Sequence, residues 1–250
     1  MERRMYSARL LEKKLLSESA QCYHLEFEIP ELENFSFEPG QFISMVTEDG
    51  RGKSQTRAYS IASAPRRNRF DLCLDRVDGG FFSNQLADAK SGDTFPFHGP
   101  YGLFVLRRPL VDSVLIATGT GIAPIRGFVE CLFPSQGEDR SDGKHFWLVY
   151  GARHASEIYY QHYFEKTAAE HSNFHFLPTV NHPHDGWEGL RGNVDTHVRK
   201  LLLDDSGVLS GDGKPVQAYI CGLNEMVAAN RAQLKELGWD RKQIVFERYD

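Results

Sequence analysis

The hydrophobic pattern of this chain changes near residue 110, and that change limits what the chain can fold into. Before it, apolar and polar residues alternate in short stretches such as residues 22–29 and 69–75, with Pro and Gly between them. Period-two alternation predicts half-buried strands, and many short strands predict an antiparallel barrel or sandwich. After it, solid apolar runs alternate with segments of helical period, which predicts parallel strands joined by helices. We therefore expect two domains, residues 1–108 and residues 109–250.

The second domain is predicted to be an α/β unit built on a parallel sheet. Its buried strands are expected at residues 113–117, 146–150, 174–177, 217–220 and 244–247. Its helices are expected at residues 123–133, 157–170, 194–203 and 224–237.

Composition narrows the function classes. With 250 residues, 41% of them hydrophobic and 25% charged, the chain has the make-up of a globular protein with a real core. Its net charge of −5 comes with no basic domain or arm, so we expect no nucleic-acid partner. The apolar runs fall far short of the ~20 residues that span a bilayer, and the polar start shows no leader. We expect a cytoplasmic protein without a membrane span.

The cysteines and histidines do not predict a metal centre. The four cysteines, Cys22, Cys73, Cys131 and Cys221, are too scattered for a disulfide framework, a paired metal site or an iron–sulfur cluster. The histidines lack a credible third ligand at zinc-binding spacing, so no metal is expected. If electrons leave this protein, they must leave to another molecule.

The strongest motif of the second domain is a buried strand that runs into a glycine turn and then a helix, at residues 114–124. Backbone N–H groups and the helix dipole at such a turn can meet a pyrophosphate. Only Gly119 and Gly121 of the full dinucleotide fingerprint are present, so an ordinary tight turn stays an alternative. Cys221 and Gly222 end another strand, where ligands sit in open α/β sheets, although such a cysteine is often only packing.

The first domain offers two motifs. Arg57-Ala58-Tyr59-Ser60 joins a cation, a flat aromatic ring and a hydroxyl at the end of a probable strand, as a phosphate and ring site requires. The alternative is an edge-strand Tyr beside a solvated Arg. Residues 79–86 form a loop entering a helix, in which Ser83 is expected to be the N-terminal cap, with or without an anion beside it.

In their order along the chain, these motifs strongly resemble the ferredoxin–NADP reductase superfamily, and the resemblance runs nearly end to end. It implies an N-terminal antiparallel β-barrel that binds FAD and a C-terminal α/β parallel-sheet domain that binds a nicotinamide dinucleotide. The motifs that carry it are Arg57-Ala58-Tyr59-Ser60, residues 80–83, Gly99-Pro100-Tyr101-Gly102, residues 119–124, Tyr150-Gly151-Ala152-Arg153, Cys221-Gly222 with Met226, and Phe246-Glu247-Arg248-Tyr249.

The resemblance also implies which residues meet FAD. Arg57 and the amides of residues 81–83 would hold the pyrophosphate, Tyr59 would stack on the isoalloxazine, and Ser60 would bond near its N5 atom. Asp250 stands where some bacterial members carry Trp, which leaves Tyr249 to cover the second flavin face. The residues expected at FAD are Arg57, Ala58, Tyr59, Ser60, Arg76, Val77, Gly80, Phe81, Phe82, Ser83, Thr120 and Tyr249. Those expected to be catalytic, mainly by positioning the two rings, are Ser60, Cys221, Glu247 and Tyr249.

For the nicotinamide dinucleotide, the resemblance favours NADH over NADPH. Relatives that use NADPH carry Arg after a Ser and after a downstream Gly, where this chain has Asn181-His182 and Gly192-Asn193. A site without cations gains little from an extra phosphate, although Arg191 and a protonated His182 keep NADPH as the alternative. The residues expected to bind the dinucleotide are Thr118, Gly119, Gly121, Pro124, Arg153, Asn181, His182, Cys221, Gly222 and Met226.

The expected activity is an NAD(P)H oxidoreductase that passes electrons from FAD to a separate ferredoxin, flavodoxin or oxygenase component. Two alternatives stay open: a reductase that releases reduced flavin, and a non-catalytic flavin-binding interaction subunit. Five basic residues are interpreted in one of two ways, as a docking face for an acidic partner or as a solvated surface. These residues are Arg66, Arg67, Arg69, Arg107 and Arg108.

Overall fold

The computed structural model describes residues 4–48, 52–203 and 216–249. Asp-Gly pairs are typical of turns, so the sequence predicts a turn at Asp49-Gly50. That pair and Asp250 lie outside the described residues. The described chain forms two six-stranded sheets, one antiparallel and one parallel. Both domain types predicted from the hydrophobic pattern are therefore confirmed.

The first sheet closes into a barrel. Its strands are β1 (Tyr6–Ser17), β2 (Cys22–Glu28), β3 (Phe42–Glu48), β4 (Ser54–Ser60), β5 (Arg69–Asp75) and β6 (Thr94–Tyr101). Their order is β4-β3-β6-β1-β2-β5, and the bridge between Ile61 and Leu72 brings the two outer strands together. A short helix, α1 (Phe81–Asp88), lies between β5 and β6 in the sequence.

Alternation along β5 builds the barrel core. Phe70, Leu72 and Leu74 point into the barrel, where the rings of Phe70 and Phe27 stack with centroids 5.4 Å apart. Each such side chain contributes about 1.5–3 kcal/mol when it is fully buried. The barrel is thus held by the apolar positions of the period-two pattern.

The second sheet is parallel, and its strands are β7 (Asp112–Thr118), β8 (Phe146–Ala152), β9 (Phe174–Val180), β10 (Leu190–Arg191), β11 (Val216–Leu223) and β12 (Ile244–Tyr249). Their order is β10-β9-β8-β7-β11-β12. The chain moves outward from β7 to β10 and then returns to β11 on the other side of β7, so the strand order reverses between β7 and β11. The helices are α2 (Ile122–Leu132), α3 (Gln161–Glu170), α4 (Val194–Leu203) and α5 (Asn224–Glu236).

The predicted start of α3 is wrong. The sequence pattern predicts a helix over residues 157–170, but α3 begins at Gln161. Tyr160 has a φ of 59°, in the left-handed region, and breaks the helical path. The residues before it form a separate 3₁₀ turn, Ala155–Glu157.

The connection between the sheets runs from Tyr101 to Asp112. The predicted domain boundary between residues 108 and 109 falls within it and stays a prediction. Among the described helices, none has the length and apolar character needed to cross a membrane.

The polar face of β2 and β5 is an interface between the domains. Cys22, His24, Asp71 and Cys73 alternate with the barrel core residues and are buried, where period-two alternation predicts solvent exposure. Cys22 and Cys73 pack with the apolar residues of the second domain, and their Sγ atoms lie 3.7 Å apart. The two cysteines are free thiols that the fold brings together, although their spacing in the sequence shows no pairing.

We expect Leu72→Ala to lower the free energy of unfolding of the barrel by about 2–5 kcal/mol, because Leu72 is 0% exposed. The matched control is Leu15→Ala, since Leu15 is 51% exposed, and its effect should stay within about 1 kcal/mol. Urea unfolding followed by circular dichroism measures both. Equal losses for the two variants would contradict the barrel core as described.

Candidate active site

A cleft of about 640 Å³ opens between the domains at the carboxyl ends of β7 and β11. The reversal of strand order at these strands is where open α/β sheets bind ligands. The residues predicted from the sequence that line it are Thr118, Gly119, Thr120, Arg153, Asn181, Gly222, Met226 and Tyr249. Pro124 and Cys221 are buried, and His182 is exposed with its ring 5.5 Å from that of His154.

The glycine turn between β7 and α2 forms the floor of the cleft. Gly119–Gly121 is one 3₁₀ turn, and a Cβ on Gly121 would lie 2.3 Å from the Cys221 carbonyl oxygen. Only glycine permits this approach of the turn to β11. No described side chain caps the start of α2, and its first turn carries no acidic residue. A helix N-terminus without a side-chain cap or an acidic residue is suited to meet the phosphates of a dinucleotide.

A chain of hydrogen bonds crosses from one domain to the other beside the cleft. The Tyr249 hydroxyl donates to Ser60 Oγ at 2.9 Å, and the Ser60 hydroxyl donates to Glu247 Oε2 at 3.0 Å. Ser60 ends β4 of the barrel, whereas Glu247 and Tyr249 lie on β12. The structure thus brings together three of the four residues predicted to be catalytic.

Cys221, the fourth, is the neighbour of Glu247 in the pairing of β11 with β12. Burial raises the pKa of the Cys221 thiol, and the Glu247 carboxylate raises it further. The thiol is therefore neutral, and it is not a thiolate nucleophile. Burial likewise raises the pKa of Glu247, an effect that the Ser60 hydroxyl partly offsets.

The predicted flavin strand and helix lie side by side in the barrel. The ring of Tyr59 on β4 lies 5.9 Å from that of Phe82 on α1, and Arg57 is exposed on the same strand. Burial raises the pKa of Tyr59 to about 12, so its hydroxyl stays neutral. The start of α1 has no side-chain cap among the described residues and no acidic side chain in its first turn. An exposed cation, an aromatic ring and an open helix end fit the pyrophosphate and ring of FAD.

Ser83 is not the N-terminal cap of α1, so that prediction is wrong. The cap position is Gly80, and Ser83 lies within the first turn, where its Oγ accepts the N–H of Val77 at 3.2 Å. The helix begins three residues earlier than a cap at Ser83 indicates, because Gly79, at a φ of 68°, turns the chain. Arg76 directs two guanidinium nitrogens to Asp88 at 2.8 and 3.1 Å, and its predicted contact with FAD stays a prediction.

Sequence reasoning missed two walls of the cleft. One comes from the barrel and includes Ser19, Ala20 and Asp75, and the other is the start of α4, with Val194 and Asp195. Asp75 accepts the Tyr159 hydroxyl at 3.2 Å across the domain boundary. No local motif marks these residues. The alternation along β5 is the sequence signal at Asp75, and it predicts a solvent-exposed side chain there.

The barrel carries an exposed cation and a helix end without a side-chain cap. It meets the parallel sheet, which has a second helix end of this kind, at the cleft. These features together define a flavin- and nicotinamide-dependent oxidoreductase. Comparison with known proteins agrees. The family model described as Oxidoreductase FAD-binding domain matches residues 7–106, and that described as Oxidoreductase NAD-binding domain matches residues 115–232.

Individual relatives are similar along the whole chain. Ferredoxin–NADP reductase B of Sorangium cellulosum (strain So ce56) is 36% identical over 249 residues, which cover 98% of each chain. The reductase component DmpP of phenol 2-monooxygenase, from Pseudomonas sp. (strain CF600), is 31% identical over 94% of this chain and 62% of that protein. The solved structure of the Amycolatopsis reductase GcoB has a TM-score of 0.82 at 25% identity, covering 98% of this chain and 69% of that chain.

The chain therefore belongs to the ferredoxin–NADP reductase family and is an FAD- and NAD(P)-dependent oxidoreductase.

Glu247→Gln is expected to raise the thermal stability of the nucleotide-free protein at pH 7–8. Burial raises the pKa of Glu247 in the folded protein. The contribution of Glu247 to the free energy of unfolding is therefore full below the usual carboxyl pKa of about 4.3, and it is lost as the pH rises through the raised pKa of the folded state. Glutamine does not titrate, so the Tm gap between the variant and the parent should widen from pH 4 to pH 8. Glu236→Gln, at an exposed position, is the control. A Tm gap that shrinks as the pH rises would contradict the raised pKa of Glu247.

Proposed function

We propose that this protein takes hydride from NADH onto bound FAD and passes the electrons singly to a separate electron-carrier protein. The observation that carries the proposal is the hydrogen-bonded chain from Tyr249 through Ser60 to Glu247. It joins the strand of the flavin motif to the edge of the nucleotide cleft, where two rings have to meet.

FAD, when bound, accepts two electrons with a hydride and can release them one at a time. Arg57 and the amides of residues 81–83 would hold its pyrophosphate, and Tyr59 would pack against its ring. Ser60 accepts from Tyr249 and donates to Glu247, so its hydroxyl has a fixed direction at the end of β4, where the edge of the flavin ring would lie. The contacts of Ala58, Val77, Gly80 and Thr120 with FAD belong to the same proposal.

Alignment is the work that these residues would do at the reaction centre. Hydride transfer needs correctly placed rings more than an acid or base. The neutral Cys221 thiol lies behind the cleft and would shape the nicotinamide site rather than react. Tyr249 lines the cleft, and it would yield its place when the nicotinamide enters.

Charge in the cleft supports NADH. Of the described residues that line it, four carry carboxylates, Asp75, Glu157, Asp195 and Glu225, and one, Arg153, carries a guanidinium. The additional phosphate of NADPH would enter a region of negative charge with one cation to balance it. A relative carries NADP in its name, and NADPH is the alternative substrate that the experiment must exclude.

A separate partner is supported by the relatives. DmpP is named as the reductase component of a monooxygenase, and this chain spans 62% of its length. The proposed partner is a ferredoxin, a flavodoxin or an oxygenase component, and the cytoplasmic location stays a prediction. A docking face made by the five basic residues stays a prediction. Two of the five have partners within the chain, since Arg107 donates to the Lys242 carbonyl and Arg66 pairs with Asp71.

Nucleotide preference is tested by kcat/KM for NADH and NADPH with ferricyanide as the electron acceptor. We expect at least a tenfold preference for NADH. Asn181→Arg should raise kcat/KM for NADPH about tenfold, because it adds a cation beside Arg153 at the cleft. The uncharged control Asn181→Gln should leave the ratio within twofold. A parent enzyme that prefers NADPH would refute the nucleotide proposal.

Electron transfer from a retained cofactor is tested by gel filtration of the FAD-loaded protein. We expect the yellow colour to stay with the protein, since a carrier-linked reductase must hold its flavin through many turnovers. Loss of the flavin on the column would instead favour a reductase that releases reduced flavin. A retained flavin that neither nucleotide reduces would favour the non-catalytic subunit.

A further inference from the structure

Helix α2 connects the nucleotide cleft with the flavin strand. It begins at Ile122, directly after the turn Gly119–Gly121, and it passes over barrel residues 61–64, which directly follow Ser60. Three residues of α2 contact that segment, Arg126, Gly127 and Glu130, and we call these three residues the α2 clasp. One rigid element thus touches both halves of the active site.

Arg126 supplies the charged contact of the α2 clasp. Its Nη1 donates to the Ala62 carbonyl and, at 3.2 Å, to Oδ2 of Asp71, which is 1% exposed. Asp71 is bonded to the same segment through its backbone, because its carbonyl accepts the Ala62 N–H at 2.8 Å. Its N–H donates to Ser63 Oγ at 3.1 Å. The guanidinium therefore completes a closed set of bonds around the segment that follows Ser60.

The other two residues of the α2 clasp act through the backbone of the segment. Glu130 Oε2 accepts the N–H of Ala64 at 2.7 Å. Gly127 lets the helix approach, because a Cβ there would lie 3.0 Å from the Ser63 carbonyl oxygen. The helix and the segment are therefore in contact over a full turn, with a bond at each end.

The charge of Asp71 is balanced by arginine. The Nε2 atom of His24 lies 3.7 Å from Asp71, but burial, and then Arg126, lower the pKa of His24 to about 4. The imidazole is therefore neutral at neutral pH. Arg66 also pairs with Asp71, yet its side chain is 40% exposed and belongs to the barrel itself. Among the described cations that reach Asp71, Arg126 is the one that comes from the nucleotide domain, and its side chain is 12% exposed.

The guanidinium of Arg126 is fixed from its own domain as well. It lies 4.9 Å from the ring centroid of Tyr160 and 5.4 Å from that of Tyr163. Cation–π contacts of this kind strengthen when water is excluded. Arg126 therefore has little freedom to move without moving the segment that it holds.

We propose that the α2 clasp is a positioning device that sets the alignment of Ser60 with the nucleotide cleft, with Arg126 as its main residue. The inference rests on the proposed function, because alignment matters only if the two rings exchange hydride. A shift of about 1 Å in such an alignment can cost on the order of 10²-fold in rate.

The test compares Arg126→Leu and Arg126→Lys with the matched control Arg66→Leu, which removes the other arginine of Asp71. Reduction of bound FAD is followed anaerobically with saturating NADH and, separately, with dithionite, which needs no nucleotide site. Hydrogen exchange of the peptide spanning residues 61–64 is measured on the same proteins without FAD or NADH. Glu130→Leu is the second variant, in case Arg126→Leu does not retain FAD.

We expect Arg126→Leu to slow reduction by NADH at least tenfold and Glu130→Leu about threefold, with Arg126→Lys between Arg126→Leu and the parent. FAD content and reduction by dithionite should stay within twofold of the parent, and exchange at residues 61–64 should rise. Arg66→Leu should stay within twofold of the parent in every measurement.

A FAD-retaining Arg126→Leu or Glu130→Leu variant that NADH reduces at the parent rate would overturn the inference, and so would unchanged hydrogen exchange at residues 61–64. Failure of the parent itself to be reduced would refute the proposed function, whereas the exchange measurement would still test the contact.

Discussion

The outer face of β2 and β5 is buried between the barrel and the second domain, and it carries a charged side chain. Asp71 and Cys73 look solvated in the alternating pattern, yet they are buried against the second domain. A buried carboxylate needs a partner, because an unpaired charge in a low-dielectric interface is strongly destabilising. Asp71 meets that need with Arg66 of the barrel and Arg126 of the nucleotide domain, and the second pair ties the two domains together beside the cleft.

The alternation of side chains along β2 and β5 gives each strand two roles, one in the barrel core and one in the domain interface. On β5, Leu72 and its apolar neighbours build the barrel, while the residues between them build the domain interface. Asp75, the last of these, also lines the nucleotide cleft. Core, interface and site are therefore successive positions on one strand, and a change of register there would disturb all three.

Local patterns predicted most of the fold and part of the site. Residues 114–124 were predicted as a strand, a glycine turn and a helix, because neighbouring residues determine each of these features. At Gly121 the turn leaves no room for a Cβ atom. Helix starts were harder: α3 and α1 both begin where a left-handed residue, Tyr160 or Gly79, redirects the chain. The barrel wall of the cleft and the contact of Cys22 with Cys73 depend on pairing between distant strands, which no local pattern encodes.

In the proposed reaction, nicotinamide and flavin meet beside Ser60 and Tyr249. Anaerobic stopped-flow mixing of the FAD-loaded protein with NADH tests this arrangement, because hydride transfer bleaches the visible absorbance of the oxidised flavin. We expect bleaching that is complete in a single turnover, saturates with NADH, and slows with NADH carrying deuterium at the transferred position. Tight binding of both FAD and NADH without bleaching by either nicotinamide nucleotide would show that the two rings do not meet there.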